Sequence, residues 1–166
     1  MGRLIAAAPD PLSTIIALTV VLGLRIGETL ALRVSDIDFA KRIIRVRQSV
    51  DAATRNVGAV KSRASSADLP MSPQLETRLR AHLRKHDGKS ELLFTNKRGR
   101  ALSANKLRAK QLHPLLEKLG IERGGFHSMR HGQPVPCLQT VQLRLWYRGS
   151  YGTVMRGSRW EFTATR

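Results

Sequence analysis

Gly23-Leu24-Arg25-Ile26-Gly27-Glu28 closes the most apolar run of the chain and is answered far downstream by His127-Ser128-Met129-Arg130-His131. The first stretch places an arginine at the start of a helix, with Gly27 allowing close backbone approach and Glu28 one turn on to hold the guanidinium. Arginine suits a phosphate because it stays charged and donates a planar fork of hydrogen bonds. The second stretch sets His127 and Arg130 three residues apart, on one face of a helix entered through Gly124-Gly125. An imidazole moves protons near neutral pH, and a second arginine completes a clamp on two phosphate oxygens.

Around these stretches the chain reads as a mixed domain. Residues 11–22 are apolar and helical in period, with Pro11 in the first turn and Ser13 or Thr14 as cap. A second helix is expected from Arg25 to Arg33. Residues 43–47 alternate as a strand, Val57-Gly58 supplies a turn, and residues 61–69 fit the remaining strands of a small sheet. Residues 72–83 form a capped helix with Leu75, Leu79 and Leu83 on one face. Leu92-Leu93-Phe94 reads as a short strand and residues 103–119 as a long amphipathic helix. The class is α+β, mainly helical with a small antiparallel sheet.

A net charge of +17 on 166 residues points to a polyanionic partner. One cysteine, Cys137, excludes an internal disulfide framework. His82, His86 and His113 lack metal-ligand spacing. No signal peptide or bilayer-length apolar run is visible, so the expected location is cytoplasmic, with no membrane partner.

The composition breaks after residue 132. Residues 1–132 hold 24 of the 29 basic and 11 of the 12 acidic side chains, whereas residues 133–166 contain no Lys, Asp or Ile, yet both Trp, both Tyr and the cysteine. The two parts are read as separate pieces, 1–132 and an aberrant tail, 133–166.

In this order and context the motifs of residues 4–132 resemble the catalytic domain of the tyrosine recombinases, the phage-integrase family. The resemblance also rests on Val60-Lys61-Ser62-Arg63 closing on Leu69-Pro70-Met71, and on Phe94-Thr95-Asn96 with Gly99-Arg100. It implies Arg25, Lys61, His127 and Arg130 as catalytic residues, supported by Glu28 and His131. Lys61 takes the role of the hairpin lysine that reaches the leaving 5′ oxygen, although Arg63 occupies the second cation position of that segment. The implied reaction is attack of a tyrosine hydroxyl on the scissile phosphate. A 3′-phosphotyrosyl link forms as the bond to the 5′ oxygen breaks, with no metal or nucleotide cofactor. Double-stranded DNA and other recombinase subunits are the implied partners. The N-terminal DNA-clamping domain of the family is expected to be absent.

The tail departs from the pattern. The family's histidine box and nucleophile fall near Thr153 and Phe162–Thr163, where neither residue type stands. Tyr147 and Tyr151 come too early, and Tyr151 is left as the candidate nucleophile. A frameshifted translation beginning near Gln133 is the expected origin of this tail. Joining the last base of each codon to the first two of the next, residues 160–165 permit Gly-Ile-Tyr-Arg-His, residues 152–155 permit His-Ser-Asp, and residues 132–137 permit Ala-Thr-Ser-Ala-Leu. The chain is therefore expected to be a catalytically impaired recombinase. A non-catalytic basic DNA-binding remnant is the alternative, and an unrelated RNA-binding protein would require the motif set to be coincidence.

Overall fold

The computed structural model describes residues 2–59, 66–86, 88–130, 154–156 and 159–161. The chain divides into two units, Met1–Gln133 and Pro134–Arg166.

The first unit is organised around one helix. After α1 (Gly2–Ala7) comes α2 (Leu12–Leu22), buried without interruption from Leu12 to Thr19. Six of its eleven residues are β-branched, each less favourable in a helix than alanine by up to about 0.7 kcal/mol. Packing overrides that preference, since burying a side chain such as Leu12, Ile15, Ile16 or Leu18 contributes about 1.5–3 kcal/mol. A helix apolar on all sides needs neighbours on all sides. Here α1, α3 (Ile26–Leu30), α4 (Pro73–Leu83) and α7 (Phe126–Arg130) pack against it. Ser13 and Thr14 do not cap it. Both are buried within the helix, and Thr14 Oγ1 donates to Asp10 Oδ1 at 2.9 Å. Gly23, with φ of +67°, ends α2 in the left-handed conformation that glycine adopts without strain.

The second helix is shorter than expected. Arg33 is extended, its N–H donates to Asp36 Oδ2 at 2.9 Å, and it pairs with Leu92 in an isolated bridge. Leu30, Ala31 and Leu32 are nevertheless all buried.

Among the described residues of the first unit, the strands form two small antiparallel sheets. β1 (Ile37–Asp38), β2 (Ile43–Val46) and β5 (Ala67–Pro70) lie in the order β1-β2-β5, with Ile44 opposite Ile37 and Leu69. The β2 alternation turns Ile44 and Val46 into the core. β3 (Gln48–Val50) pairs with β4 (Val57–Ala59), Ser49 facing Gly58. Val57-Gly58 is therefore strand rather than turn. The turn lies upstream, where Asp51 Oδ1 accepts the N–H groups of Ala53 and Thr54.

α4 is capped by Ser72, whose Oγ accepts the Leu75 N–H at 3.3 Å, and it buries Leu75 and Leu79. Leu92-Leu93-Phe94 makes no strand. Leu93 and Phe94 are buried, and among the described residues the segment is held by the bridge and by single backbone bonds, Val34 N–H to Glu91, Leu93 N–H to Leu32 and Leu102 N–H to Phe94.

The helix expected over residues 103–119 comprises α5 (Ala104–Leu107), a π-helical turn (Arg108–Leu112) and α6 (His113–Lys118). Two features of the sequence explain the wide turn. Pro114 has no N–H to give to the fourth residue before it. The buried Leu107, Leu112 and Leu116 are spaced five and then four, and a turn closed i to i+5 brings the five-residue step onto one face.

In the second unit, β6 (Val154–Arg156) and β7 (Arg159–Glu161) form a two-stranded antiparallel ribbon with Met155 opposite Trp160.

Candidate active site

Arg25 caps α3 with an extended backbone, and Glu28 faces back to it. The Arg25 N–H donates to Glu28 Oε2 at 2.8 Å and its Nη1 donates to Oε1 at 3.1 Å. This is a capping box in which the acid also holds the capping residue's charge. The side chain of Glu28 is 8% exposed and that of Arg25 is 56% exposed, so the carboxylate is the fixed partner and the guanidinium reaches solvent. Thr29, fully buried, adds a hydroxyl that donates to the Arg25 carbonyl at 3.2 Å. Glu28 thus bonds Arg25 at two atoms, and the arginine is more open than its apolar approach implied.

Gly27 carries the other half of the arrangement. A Cβ there would lie 2.7 Å from Ser49 Oγ and 2.8 Å from the Val50 carbonyl oxygen. The missing side chain therefore lets α3 lie directly on the backbone of β3. The sheet β3–β4 is thereby tied to the helix that begins at Arg25, and β4 ends at Ala59, two residues before Lys61.

α7 buries Phe126 and Met129 and packs on α2, leaving His127 and Ser128 exposed. Positions 127 and 130 lie one helical step apart on a common face of its backbone. Ser128 Oγ donates to the Gly125 carbonyl at 2.7 Å, and a Cβ on Gly124 would meet that same Oγ at 2.8 Å. Gly124 thus leaves room for the first turn of α7, whereas a Cβ on Gly125 would make only ordinary contacts.

The structure therefore seats the helices bearing Glu28 and His127 on the same central helix, α2. Lys61, Arg63, His131, Tyr147 and Tyr151 lie outside the described residues. Among the described residues there is no group of three His, Cys, Asp or Glu side chains that could hold a metal.

A model described as the phage integrase family matches residues 2–133. The chain belongs to the phage integrase family. Two Mycobacterium tuberculosis proteins, from strains CDC 1551 / Oshkosh and ATCC 25618 / H37Rv, are provisionally named prophage phiRv2 integrase. Each is 30% identical to this integrase-family chain over 140 residues, 81% of it and 37% of the relative. The chain thus spans little more than a third of their length. Among solved structures, the Tn1549 transposon integrase in complex with circular intermediate DNA superposes with a TM-score of 0.65 at 20% identity. That match covers 78% of this chain and 49% of the other. XerA recombinase gives 0.59 at 24% identity over 78% and 43% of the two chains. At such identities the likeness establishes a common fold, mixed helix with small antiparallel sheets.

Two contacts that hold these elements were not legible in the sequence. Thr29 carries no motif and reads as an ordinary helix residue. Arg55, in the turn between β3 and β4, donates from Nη2 to the Ala101 carbonyl at 3.0 Å and so fastens that sheet to the segment before α5. Its only sequence signal is a basic residue beside Asn56 in a turn.

Proposed function

We propose that residues 1–132 are the core of a tyrosine recombinase catalytic domain that acts on double-stranded DNA. In this reading Arg25, Lys61, His127 and Arg130 surround one phosphodiester in site-specific recombination, with Glu28 and His131 in support. The observation that carries it is the pair of hydrogen bonds that Arg25 donates to Glu28 at the head of α3. It fixes a solvent-reaching guanidinium at the head of a helix that packs on α2, the central helix on which the His127 helix also packs. Fixed cations of this kind stabilise the charge that develops on a phosphorane-like transition state without reorganising. An experimental structure with bound duplex that put Arg25 and Arg130 on opposite faces would overturn the assignment.

In the same reading residues 133–166 supply no nucleophile, so the chain does not cleave DNA as it stands. The family match ends at residue 133 and the first unit ends at Gln133, which supports a break at that point. Assembly with further recombinase subunits and a cytoplasmic location belong to this proposal. A covalent protein–DNA adduct on a nicked suicide duplex tests it, with none expected. An adduct lost in Tyr151→Phe and kept in Tyr147→Phe would restore the chain as an enzyme. The coding DNA tests the frameshift: a shifted frame with no Tyr codon across Phe162–Thr163 excludes it. The second reading, a non-catalytic DNA-binding remnant, is favoured by the same lack of a tyrosine at the family position. It is distinguished by restoring the frame, since a remnant gains no adduct.

A further inference from the structure

β3 and β4 pair with each other and stand apart from the sheet β1-β2-β5. A two-stranded sheet is marginal by itself in water, so this one depends on what it is fastened to. Its first fastening is α3, where Gly27 admits Ser49 and the Val50 backbone. That contact lies on the strands, at the pairs Ser49–Gly58 and Val50–Val57. A single line of contact leaves a ribbon free to rock about it.

The second fastening is at the tip. The Asp51 N–H donates to the Asn56 carbonyl at 2.9 Å, and the Arg55 N–H donates to the Asp51 carbonyl at 2.9 Å, which closes the turn. Residue 55 takes φ of +62° there, a left-handed backbone that glycine or asparagine adopts at little cost and arginine does not. Its Nε is buried and has no acceptor among the described residues. Against these two costs stands one long-range contact, Nη2 donating to the Ala101 carbonyl at 3.0 Å. Ala101 is itself a firm anchor, buried and bridged to Thr95. Strain of this kind marks a position whose side chain is what the fold uses.

We propose that Arg55 is a positioning residue for Lys61. Two fixed points, Gly27 on the strands and Arg55 at the tip, set the direction of the ribbon. The chain leaves β4 at Ala59, the end opposite the turn, two residues before Lys61. Arg55 thus aims the sheet as the short arm of a lever, and meets no phosphate itself. The inference rests on the reading of Lys61 as a member of the phosphodiester site.

The test uses the full chain and the variants R55G and R55A. Both lose the bond to Ala101, and the glycine of R55G takes the left-handed backbone without strain, which guards against a misfolded variant. Amide hydrogen exchange read by mass spectrometry compares residues 48–59 with α2, whose buried amides report global opening. Loss of one hydrogen bond speeds exchange of residues 48–59 by about 2- to 10-fold relative to α2 in both variants. No acceleration, or an equal one in α2, overturns the tether. Lys61 is then footprinted by acylation with acetic anhydride, with and without a saturating DNA duplex. Duplex slows acylation of Lys61 in the parent, and R55G and R55A lose that protection. Protection that persists in variants whose sheet has loosened overturns the positioning role and leaves the reading of the site intact. A parent in which duplex leaves Lys61 unprotected overturns the reading of Lys61 and the role built on it.

Discussion

Glu28 meets Arg25 at two points, taking its backbone N–H with one carboxylate oxygen and its guanidinium with the other. The carboxylate therefore starts the helix and aims the cation with the same group. Glu28→Ala removes both of these acceptors and the helix cap they form, a loss of about 1–2 kcal/mol of stability. Glu28→Gln keeps an acceptor and loses less. Urea unfolding of the two variants checks the order, and equal stability would show that the pair is incidental.

Gly27→Ala is expected to be more damaging than a glycine-to-alanine change inside a helix has any right to be. Helix propensity alone predicts a gain of up to about 1 kcal/mol. The new Cβ meets Ser49 Oγ, which can turn away, and the Val50 carbonyl oxygen, which is backbone and cannot. Overpacking of this kind costs about 1–3 kcal/mol, so the net effect is destabilising. A thermal melt that rises for Gly27→Ala would show that α3 and β3 separate easily.

Phe126 is the buried anchor of α7. Phe126→Ala should lower stability by about 3–5 kcal/mol, the usual range for an aromatic residue removed from a core. Ser128→Ala, which loses one bond on an exposed turn, should cost no more than about 1 kcal/mol. Guanidinium unfolding curves for the two variants measure the contrast. Similar midpoints would mean that α7 is not held through its apolar face.

Asp38 has its carboxyl held below the usual carboxylate range, first by the Lys41 backbone N–H at 2.9 Å, which burial opposes, and then by the hydrogen bond and charge of Arg45 at 2.7 Å. A lowered folded-state value means stability that is present above the ordinary aspartate range and is lost as pH falls through the folded value. Asp38→Asn should therefore be less stable than the parent at neutral pH, with the gap closing below about pH 4. A constant gap from neutral to acid would rule out the ionised carboxylate as its source.

Much of this was legible in the residues because it follows from short-range rules. Ser72 ahead of an apolar i, i+4 stripe marked α4, and Arg25 three residues before Glu28 marked a helix start. Gly27 signalled close approach, although only the fold shows that the approaching group is the Val50 backbone. What could not be read depended on distant partners. Leu92-Leu93-Phe94 shows burial in its composition, and burial does not decide between a strand and a single bridge. Val57-Gly58 looks like a turn until Ser49 is found opposite Gly58. Arg55 is meaningful only because the chain brings Ala101 to it from far along the sequence.

The π-helical turn at Arg108–Leu112 separates two questions that a regular helix answers together, where its ends lie and which way its faces point. α5 packs against α3, while α6 packs against α1. Each half is thus docked in its own rotational phase, and the wide turn absorbs the difference as a vernier absorbs the mismatch between two scales. Gain or loss of one residue there would re-aim the surface that Ser103 and Lys106 present while Leu112 and Leu116 stay seated. The aim of that face can therefore drift between relatives without any change in the core that carries it.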